Sequence, residues 1–458
     1  MPQWFYQMMP ELLYLLFVLA FGGCVGSLLN VVAYRMPLGL SIVTPPSRCP
    51  KCNTKLAWRD NIPVFGWLFL RGKCRYCKNP ISPEYPIVEA CVALLFGVYY
   101  VVWYMIPRDA VWLGVPIGLL KPEWTIEARS GFHTWPTFML MLLMLGALTG
   151  MFLVDAKTFM IPLQLSAIPA ILGLIIHPLH AAWISHKGYV AGFGHTQPMG
   201  GWAIPIPEGW WWIGASIGAG IGLIIGNLLL HFGLLKCSFH DYEQWEEEHI
   251  AKHKAEQTQS AATPEPGENA SASSETIDGE QEKETNNEND EMPADMWIQY
   301  PYARREVLRE LLFLAPCLGL FVAGGWLIEA MNLTSAPPLW LRVFAGSLMG
   351  FLIGGGVVWA IRIFGTLGFG KEAMGLGDVH LMAGVGAVVG FVDASLAPFL
   401  ASFVGLGWRI ITLIGGNKFP KAMPFGPYLA VAVVLAMLFR HPIEYLLSAL
   451  AGNPVNLP

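Results

Sequence analysis

Long runs of apolar residues recur along the chain and are separated by shorter polar stretches. A helix needs about 20 apolar residues to cross a membrane, and the runs that approach this length cover residues 11–34, 86–106, 137–154, 161–178, 210–235, 308–331, 343–366, 379–395, 396–414 and 425–447. The pattern predicts an all-α polytopic membrane protein with about ten transmembrane helices. Between the runs 379–395 and 396–414, only Asp393 and Pro398 mark a break.

Composition and charge support this class and predict an orientation. Hydrophobic residues make up 54% of the 458 residues and charged residues 13%, which excludes an ordinary soluble enzyme. Basic residues dominate segment 35–85, so the positive-inside rule places it in the cytoplasm and the N-terminus outside. The first run lacks a basic start and carries Glu11 and Asn30. We therefore do not expect it to be a cleaved signal peptide.

The stretch 243–296 is of the opposite kind. It is rich in Glu, Ser, Thr, Asn and Gln and has almost no large apolar residues. Such a segment cannot bury enough surface to offset the loss of chain entropy. The sequence predicts a disordered, acidic cytoplasmic linker here.

Four cysteines form two pairs in the predicted cytoplasmic segment. Cys49-Pro-Lys-Cys52 and Cys74-Arg-Tyr-Cys77 have the spacing of a tetrahedral zinc site. The alternative is two structural disulfides, which the reducing cytoplasm disfavours. Four thiolates would leave zinc no open position, so we expect a structural role for the metal rather than a catalytic one.

Two aspartates stand where apolar runs meet polar sequence. Asp155 ends one run, and Asp378 follows the turn Gly375-Leu376-Gly377. Counting spans from an outside N-terminus places both at cytoplasmic helix ends, where a carboxylate pair could share a proton and hydrolyse a peptide bond. Each has a simpler explanation: Asp378 could be a helix N-cap, and Asp155 an interfacial residue.

Several motifs in order resemble those of the type IV prepilin peptidases, which are membrane aspartyl proteases with a Gly-x-Gly-Asp signature. The motifs are Gly26–Arg35, the four-cysteine segment with Asn61-Ile62-Pro63 and Leu70–Cys77, Tyr85–Glu89, Asp155, Ile161-Pro162, Gly375–Val379 and Met423–Pro427. His380 stands where the family usually has lysine, which departs from the pattern.

This resemblance implies a bifunctional enzyme of the bacterial inner membrane. It implies cleavage of the basic leader of type IV prepilins or type II secretion pseudopilins, followed by N-methylation of the new N-terminal residue with S-adenosylmethionine. Asp155 and Asp378 match the catalytic pair, with Gly375 and Gly377 as the supporting motif. Gly72 matches a glycine associated with methylation, and Asn61 and Glu89 are polar candidates for the same site. The four cysteines match the zinc site.

The predicted organisation has five parts. They are a first transmembrane helix (1–34), a cytoplasmic zinc-binding and methyltransferase-associated domain (35–85), helices carrying Asp155 (86–209), an inserted helix pair with the acidic linker (210–335) and helices carrying the Gly-x-Gly-Asp motif (336–458). The insertion separates parts that are nearer neighbours in the family.

The expected partners are prepilin or pseudopilin substrates and the lipid bilayer, with no nucleic acid; the oligomeric state stays open. Alternatives are a protease-only family member, a membrane transporter, or a scaffold of a secretion machine. A transporter should show polar residues in the middle of several spans or inverted repeats. The sequence shows no convincing instance of either.

Overall fold

The computed structural model describes most of the chain. The residues that it describes are 3–107, 109–112, 117–120, 134–186, 204–242, 244, 245, 248, 249, 252, 300–415 and 424–451. Most of the predicted acidic linker lies outside these ranges. Within them the protein is helical, and no β-strand forms apart from two isolated bridges.

Eleven α-helices are present in the described ranges. They are α1 (Gln3–Arg35), α2 (Phe65–Phe69), α3 (Glu84–Tyr100), α4 (Trp135–Thr158), α5 (Leu163–His186), α6 (Trp210–His231), α7 (Ala303–Ala330), α8 (Leu339–Phe369), α9 (Leu376–Val389), α10 (Phe391–Ile414) and α11 (Gly426–Ala451). A π-helical turn, Val101–Met105, extends α3, and short 3-10 turns occur at Trp58–Asn61 and Ile117–Leu120.

Eight of the described helices are long and apolar enough to cross a membrane. They are α1, α3 with its extension, α4, α5, α6, α7, α8 and α10. Two further apolar segments, Leu376–Val389 and Gly426–Arg440, are shorter. The prediction of an all-α polytopic membrane protein is confirmed, and each predicted run corresponds to one of these ten segments.

The break between the eighth and ninth predicted runs lies elsewhere than expected. The sequence analysis put it at 395/396, whereas α9 ends at Val389 and α10 begins at Phe391. Gly390 separates them with a φ of 100°, a conformation that favours glycine. Asp393 and Pro398 lie within α10. The backbone conformation at a glycine, rather than a polar residue or a proline, therefore ends α9.

Helix α9 is buried along almost its whole length. Residues 378–389 are all buried except His380, and the helix packs closely against α5 and α8. A Cβ at Gly384 would lie 2.7 Å from the carbonyl oxygen of Ser166, and one at Gly386 would lie 1.9 Å from that of Gly350. Small residues thus let the backbones touch, as is typical of helix packing in membranes.

The chain divides into two compact units. The first comprises Met1–Ile225, Ala315–Ala360 and Gly375–Pro458, and the second comprises Gly226–Leu314 and Ile361–Met374. Both predicted catalytic aspartates and all four paired cysteines belong to the first unit. The second unit includes the residues on either side of the predicted acidic linker, and it also includes the residues directly before Gly375.

Candidate active site and cysteine centre

Asp155 lies in the last turn of α4 and is 5% exposed. The helix stops shortly after it, because Phe159 adopts a left-handed conformation and donates its N–H to the carbonyl oxygen of Asp155 at 2.9 Å. The backbone N–H of Gly426, the first residue of α11, donates a hydrogen bond to the Asp155 carboxylate. A Cβ at Gly426 would lie 2.4 Å from Asp155 Oδ2. Only glycine therefore fits beside this carboxylate.

Asp378 lies in the first turn of α9 and is 8% exposed. Gly375 occupies the N-cap position, so Asp378 is not the capping residue. A Cβ at Gly377 would lie 3.1 Å from Ile161 Cβ, and a Cβ at Gly426 would lie 3.1 Å from Ile161 Cδ1. Ile161 thus contacts both the glycine turn before Asp378 and the residue that binds Asp155.

These contacts bring three helix ends together in the first unit: the C-terminal end of α4 and the N-terminal ends of α9 and α11. The two buried carboxylates belong to two of these ends. Both aspartates, and the motif Met423–Pro427 that contains Gly426, were identified from the sequence. The contact of Gly426 with Asp155 was not predicted. The sequence signal for this contact is a glycine directly before Pro427 at the start of an apolar helix, because glycine lets another group approach the backbone closely.

The four cysteines lie close together. Their sulfur atoms are all within 4.8 Å of one another, and Cys49 Sγ and Cys77 Sγ are 3.8 Å apart. Zn–S bonds of 2.3 Å in a tetrahedron require sulfur separations of roughly 3.8 Å. All four residues are free thiols. The donor set and its spacing are therefore compatible with zinc.

The two cysteine pairs adopt the same local turn. The N–H of Cys49 donates to the carbonyl of Thr54, and the N–H of Cys74 donates to that of Asn79. In each turn the residue after the second cysteine, Asn53 or Lys78, has a positive φ. This internal repeat means that each loop presents its two sulfur atoms in the same way.

The pKa values within the cysteine cluster shift in opposite directions. The backbone N–H of Asn79 lowers the pKa of Cys77, but burial and the neighbouring thiols outweigh it and raise that pKa to about 11. The Thr54 hydroxyl and N–H lower the pKa of Cys52 to about 6, which favours the thiolate at neutral pH. Asp60 accepts two hydrogen bonds from Arg75, at 2.9 Å from Nε and 2.6 Å from Nη2. This partner lowers the pKa of Asp60. The ion pair ties the turn at Trp58–Asn61 to the second cysteine loop.

Gly72 lies within the same segment but faces a tryptophan. Its φ is +68°, and a Cβ there would lie 2.8 Å from Trp67 Cζ2. The Trp67 indole donates to the carbonyl of Ile81 at 3.1 Å, and the Ile81 N–H donates to the carbonyl of Gly72 at 2.7 Å. Any larger residue would displace the indole. The described contacts of Gly72 are thus those of a packing residue.

Asn61 and Glu89 are placed differently from one another. Asn61 lines a cavity of about 680 Å³ together with Arg35, Lys55, Trp58 and Tyr76. Charged and aromatic side chains with this volume suit a small polar ligand. The Glu89 carboxylate instead accepts the N–H of Val64 at 2.6 Å, which fastens α3 to the cysteine segment. The structure does not bring Gly72 to the cavity.

Comparison with known proteins gives two matches to family models. Residues 20–103 match the bacterial peptidase A24 N-terminal domain, and residues 302–410 match the type IV leader peptidase family. The four cysteines lie inside the first match and Asp378 inside the second. Asp155 lies outside both matches, and the second match begins within the predicted insertion 210–335.

Three of the proteins that the chain is similar to carry the same name. A "Prepilin leader peptidase/N-methyltransferase" of Myxococcus xanthus is 55% identical over 84 residues, which are 18% of this chain and 25% of that protein. The protein of that name from Klebsiella pneumoniae is 45% identical over 86 residues, 18% of this chain and 38% of its own length. The Dickeya chrysanthemi protein is 32% identical over 187 residues, 35% of this chain and 63% of its own.

The chain thus spans less than two thirds of the length of each of these relatives. No solved structure matches it significantly. The similarity to known families therefore covers two separated regions of the chain.

Proposed function

We propose that the protein cleaves the leader peptide of type IV prepilins or type II secretion pseudopilins and N-methylates the new N-terminal residue. One observation carries the protease half: two buried carboxylates, Asp155 and Asp378, belong to helix ends that Ile161 and Gly426 join. Relatives named prepilin leader peptidase/N-methyltransferase support the substrate class and the second activity.

In this proposal the two aspartates divide the work of an acid and a base. The ionised carboxylate takes a proton from water as its oxygen attacks the scissile carbonyl carbon. The protonated carboxyl group donates its proton to the carbonyl oxygen, which gives a diol. The carboxyl group that took the proton from water then donates it to the departing amine nitrogen, while the other carboxylate takes a proton back from the diol as the C–N bond breaks. Because the pair shares one proton, it titrates as a unit. The N–H of Gly426 holds the Asp155 carboxylate in place.

The substrate would enter with its basic leader in the cytoplasm and its apolar helix among the spans. We place the N-terminus of the protein outside, and the cysteine segment with both aspartates at the cytoplasmic face of the inner membrane. Two contacts at the start of α3 support this proposed arrangement. Asn30, near the end of α1, donates to the carbonyl of Tyr85 at 3.2 Å, and Lys157, at the end of α4, pairs with Glu84.

Two cofactors belong to the proposal. Cys49, Cys52, Cys74 and Cys77 would hold zinc in a closed site, where it serves to stabilise the segment. S-adenosylmethionine would supply an electrophilic methyl group to the new N-terminal amine. The cavity beside Asn61 offers aromatic faces and two cationic side chains, Arg35 and Lys55, for a ligand that bears a carboxylate and an adenine ring.

The test uses the purified protein in detergent with a prepilin and radiolabelled S-adenosylmethionine. We expect Asp155→Asn and Asp378→Asn each to lower cleavage by at least about 100-fold, because each removes one of the two proton-transfer groups. Both variants should still methylate pilin whose leader has already been removed. Asp241→Asn, an exposed aspartate of the second unit, serves as the control and should cleave normally.

Cleavage at the wild-type rate by either variant would refute the carboxylate pair. Cleavage without incorporation of label by the wild-type protein would leave a protease-only enzyme. Absence of cleavage by the wild-type protein on both prepilins and pseudopilins would contradict the proposed substrate class.

A further inference from the structure

A buried arginine lies at the centre of the second unit. Arg362, in the last third of α8, is fully buried, and its Nε donates to Glu310 Oε1 of α7 at 2.7 Å. Its Nη1 donates to Glu372 Oε1 at 2.5 Å. Nη2 is buried without a hydrogen-bond partner among the described residues. Burial of a charge with one unpaired donor is costly, so helix stability alone is a poor explanation of Arg362.

Arg362 also reaches the backbone of the segment that precedes Gly375. Its Nη1 donates to the carbonyl oxygen of Met374, the last residue of the second unit. A guanidinium presents its donors in a rigid planar fork, so it can fix several acceptors at once. Through Glu372 and Met374, the arginine restrains both a side chain and the backbone of residues 370–374.

Other contacts restrain the same short segment. The N–H of Ala373 donates to Thr366 Oγ1 at 3.4 Å, and the carbonyl of Gly370 accepts the N–H of Tyr300 at 2.7 Å. Thr366 is 1% exposed. These bonds belong to the same unit as Arg362. The second unit therefore restrains the chain up to Met374, the residue directly before the Gly375-Leu376-Gly377 turn.

Residues on both sides of the predicted linker surround the arginine. The Phe239 ring lies beneath its guanidinium, 4.9 Å from Cζ, and the N–H of Phe239 donates to Glu306 Oε2 at 3.0 Å. Ser238 Oγ donates to Glu310 Oε1 at 3.1 Å. Phe239 also packs with Tyr300 from the other side of the linker. The predicted insertion therefore supplies the partners that orient Arg362.

We propose that Arg362 is a positioning residue for the turn that carries Asp378. It holds Met374, the residue before Gly375, and so limits the freedom that two glycines give to the turn. Glu310 orients Arg362, which gives the inserted region a role in catalysis. This inference rests on the proposed function, because it concerns how the carboxylate of Asp378 is presented to a substrate. A pair that served only to join α7 to α8 would need no bond to Met374.

Two variants and a matched control test the proposal in the full-length protein. Arg362→Lys keeps the charge but loses the fork. Arg362→Met combined with Glu310→Gln removes the fork and its main charged partner together, which avoids leaving Glu310 as a buried unpaired charge. Arg304→Met is the control: Arg304 is exposed and has no hydrogen bond or ion pair with any described residue. Hydrogen–deuterium exchange over residues 371–380 and the kcat and KM for prepilin cleavage are measured for each.

We expect faster amide exchange confined to residues 375–378 in the double variant, with an intermediate effect in Arg362→Lys. The kcat for cleavage should fall about 100-fold in the double variant with little change in KM, since small misplacement of a catalytic group has an effect of this size. Methylation of pilin without its leader should be unchanged. Arg304→Met should match the wild type in every measurement.

Unchanged exchange at 375–378 in both variants would overturn the proposal, whatever happens to cleavage. Faster exchange with a wild-type kcat would overturn it as well, because the restraint would then have no catalytic consequence. If the double variant loses protection from amide exchange throughout the chain, it has unfolded. The exchange at 375–378 and the kcat of Arg362→Lys then decide whether the proposal holds. Failure of the wild-type protein to cleave prepilin would refute the proposed function, while the exchange data would still test the restraint at Gly375.

Discussion

At the scale of single residues, glycine is as informative as aspartate. Gly426 allows the backbone of α11 to reach the Asp155 carboxylate, and Gly377 allows Ile161 to lie against the turn before Asp378. Gly72 adopts a positive φ beneath Trp67. A methyl group would collide with Asp155 Oδ2 at Gly426 and with the Trp67 indole at Gly72, and at Gly377 it would lie tightly against Ile161. The catalytic candidates therefore depend on residues that have no side chain of their own.

Gly426→Ala tests this dependence. The new Cβ would lie 2.4 Å from Asp155 Oδ2, so either the carboxylate or α11 must shift, and we expect cleavage to fall by about 100-fold. Gly356→Ala is the matched control, since nothing lies within 4 Å of a Cβ there. Rates of prepilin cleavage are compared for the two variants. Equal rates would contradict a positioning contact at Gly426.

At the scale of elements, the cysteine loops show how a short segment folds without a large core. Each loop is a single turn held by two backbone hydrogen bonds. The sulfur atoms of the two loops lie close together, and Arg75 of the second loop pairs with Asp60. Cys49 and Cys74 are buried, while Trp58 and Phe69 are exposed. We therefore expect this segment to depend on a bound metal for its stability.

Removal of zinc is expected to unfold the cysteine segment and spare the helices. Zinc binding contributes about 10–16 kcal/mol to the folding of small zinc peptides. A chelator should therefore abolish protection from hydrogen exchange over residues 47–81 and leave α4 and α9 protected. Cys49→Ser should contain less zinc than the wild type, whereas Cys24→Ser, at an exposed position of α1, should contain the same amount. Full protection after loss of the metal would show that the segment folds without it.

At the scale of the whole molecule, charge and helix order together define two faces. Basic residues of segment 35–85 lie between α1 and α3, and Asp155 and Asp378 lie at helix ends that an outside N-terminus directs to the same face. The contact of Gly426 with Asp155 agrees with this count, because α11 begins at that face after an even number of crossings from α9 through α10. This contact requires the C-terminal end of α4 and the N-terminal end of α11 to lie on one face; that this face is cytoplasmic stays a prediction.

Reporter fusions test the orientation directly. Alkaline phosphatase, which is active only outside the cytoplasm, is joined after Pro207 in one protein and after Lys236 in another. We expect activity from the first fusion and none from the second, since α6 crosses the membrane between these positions. A fluorescent reporter that folds only in the cytoplasm serves as the reciprocal control. Phosphatase activity after Lys236 would reverse the assigned topology.

Features set by local chemistry could be predicted from the sequence. The apolar segments followed from run length, since hydrocarbon thickness fixes how many apolar residues a span needs. The four cysteines followed from their spacing, since zinc requires four thiolates at a fixed separation. Asp155 and Asp378 stood out because a carboxylate at membrane depth is rare and marks a functional site by default.

Features set by the meeting of distant segments could not be predicted in this way. The break at Gly390 depends on a backbone conformation that Asp393 and Pro398 did not indicate. The bond from Gly426 to Asp155 joins two helix ends. Arg362 bonds to Glu310, which is 52 residues away in the sequence, and to Met374, which is 12 residues away. The sequence alone determined which residues could act and which segments could cross the membrane. Only tertiary packing decided which of them meet, because contacts between helices depend on the side chains of both partners.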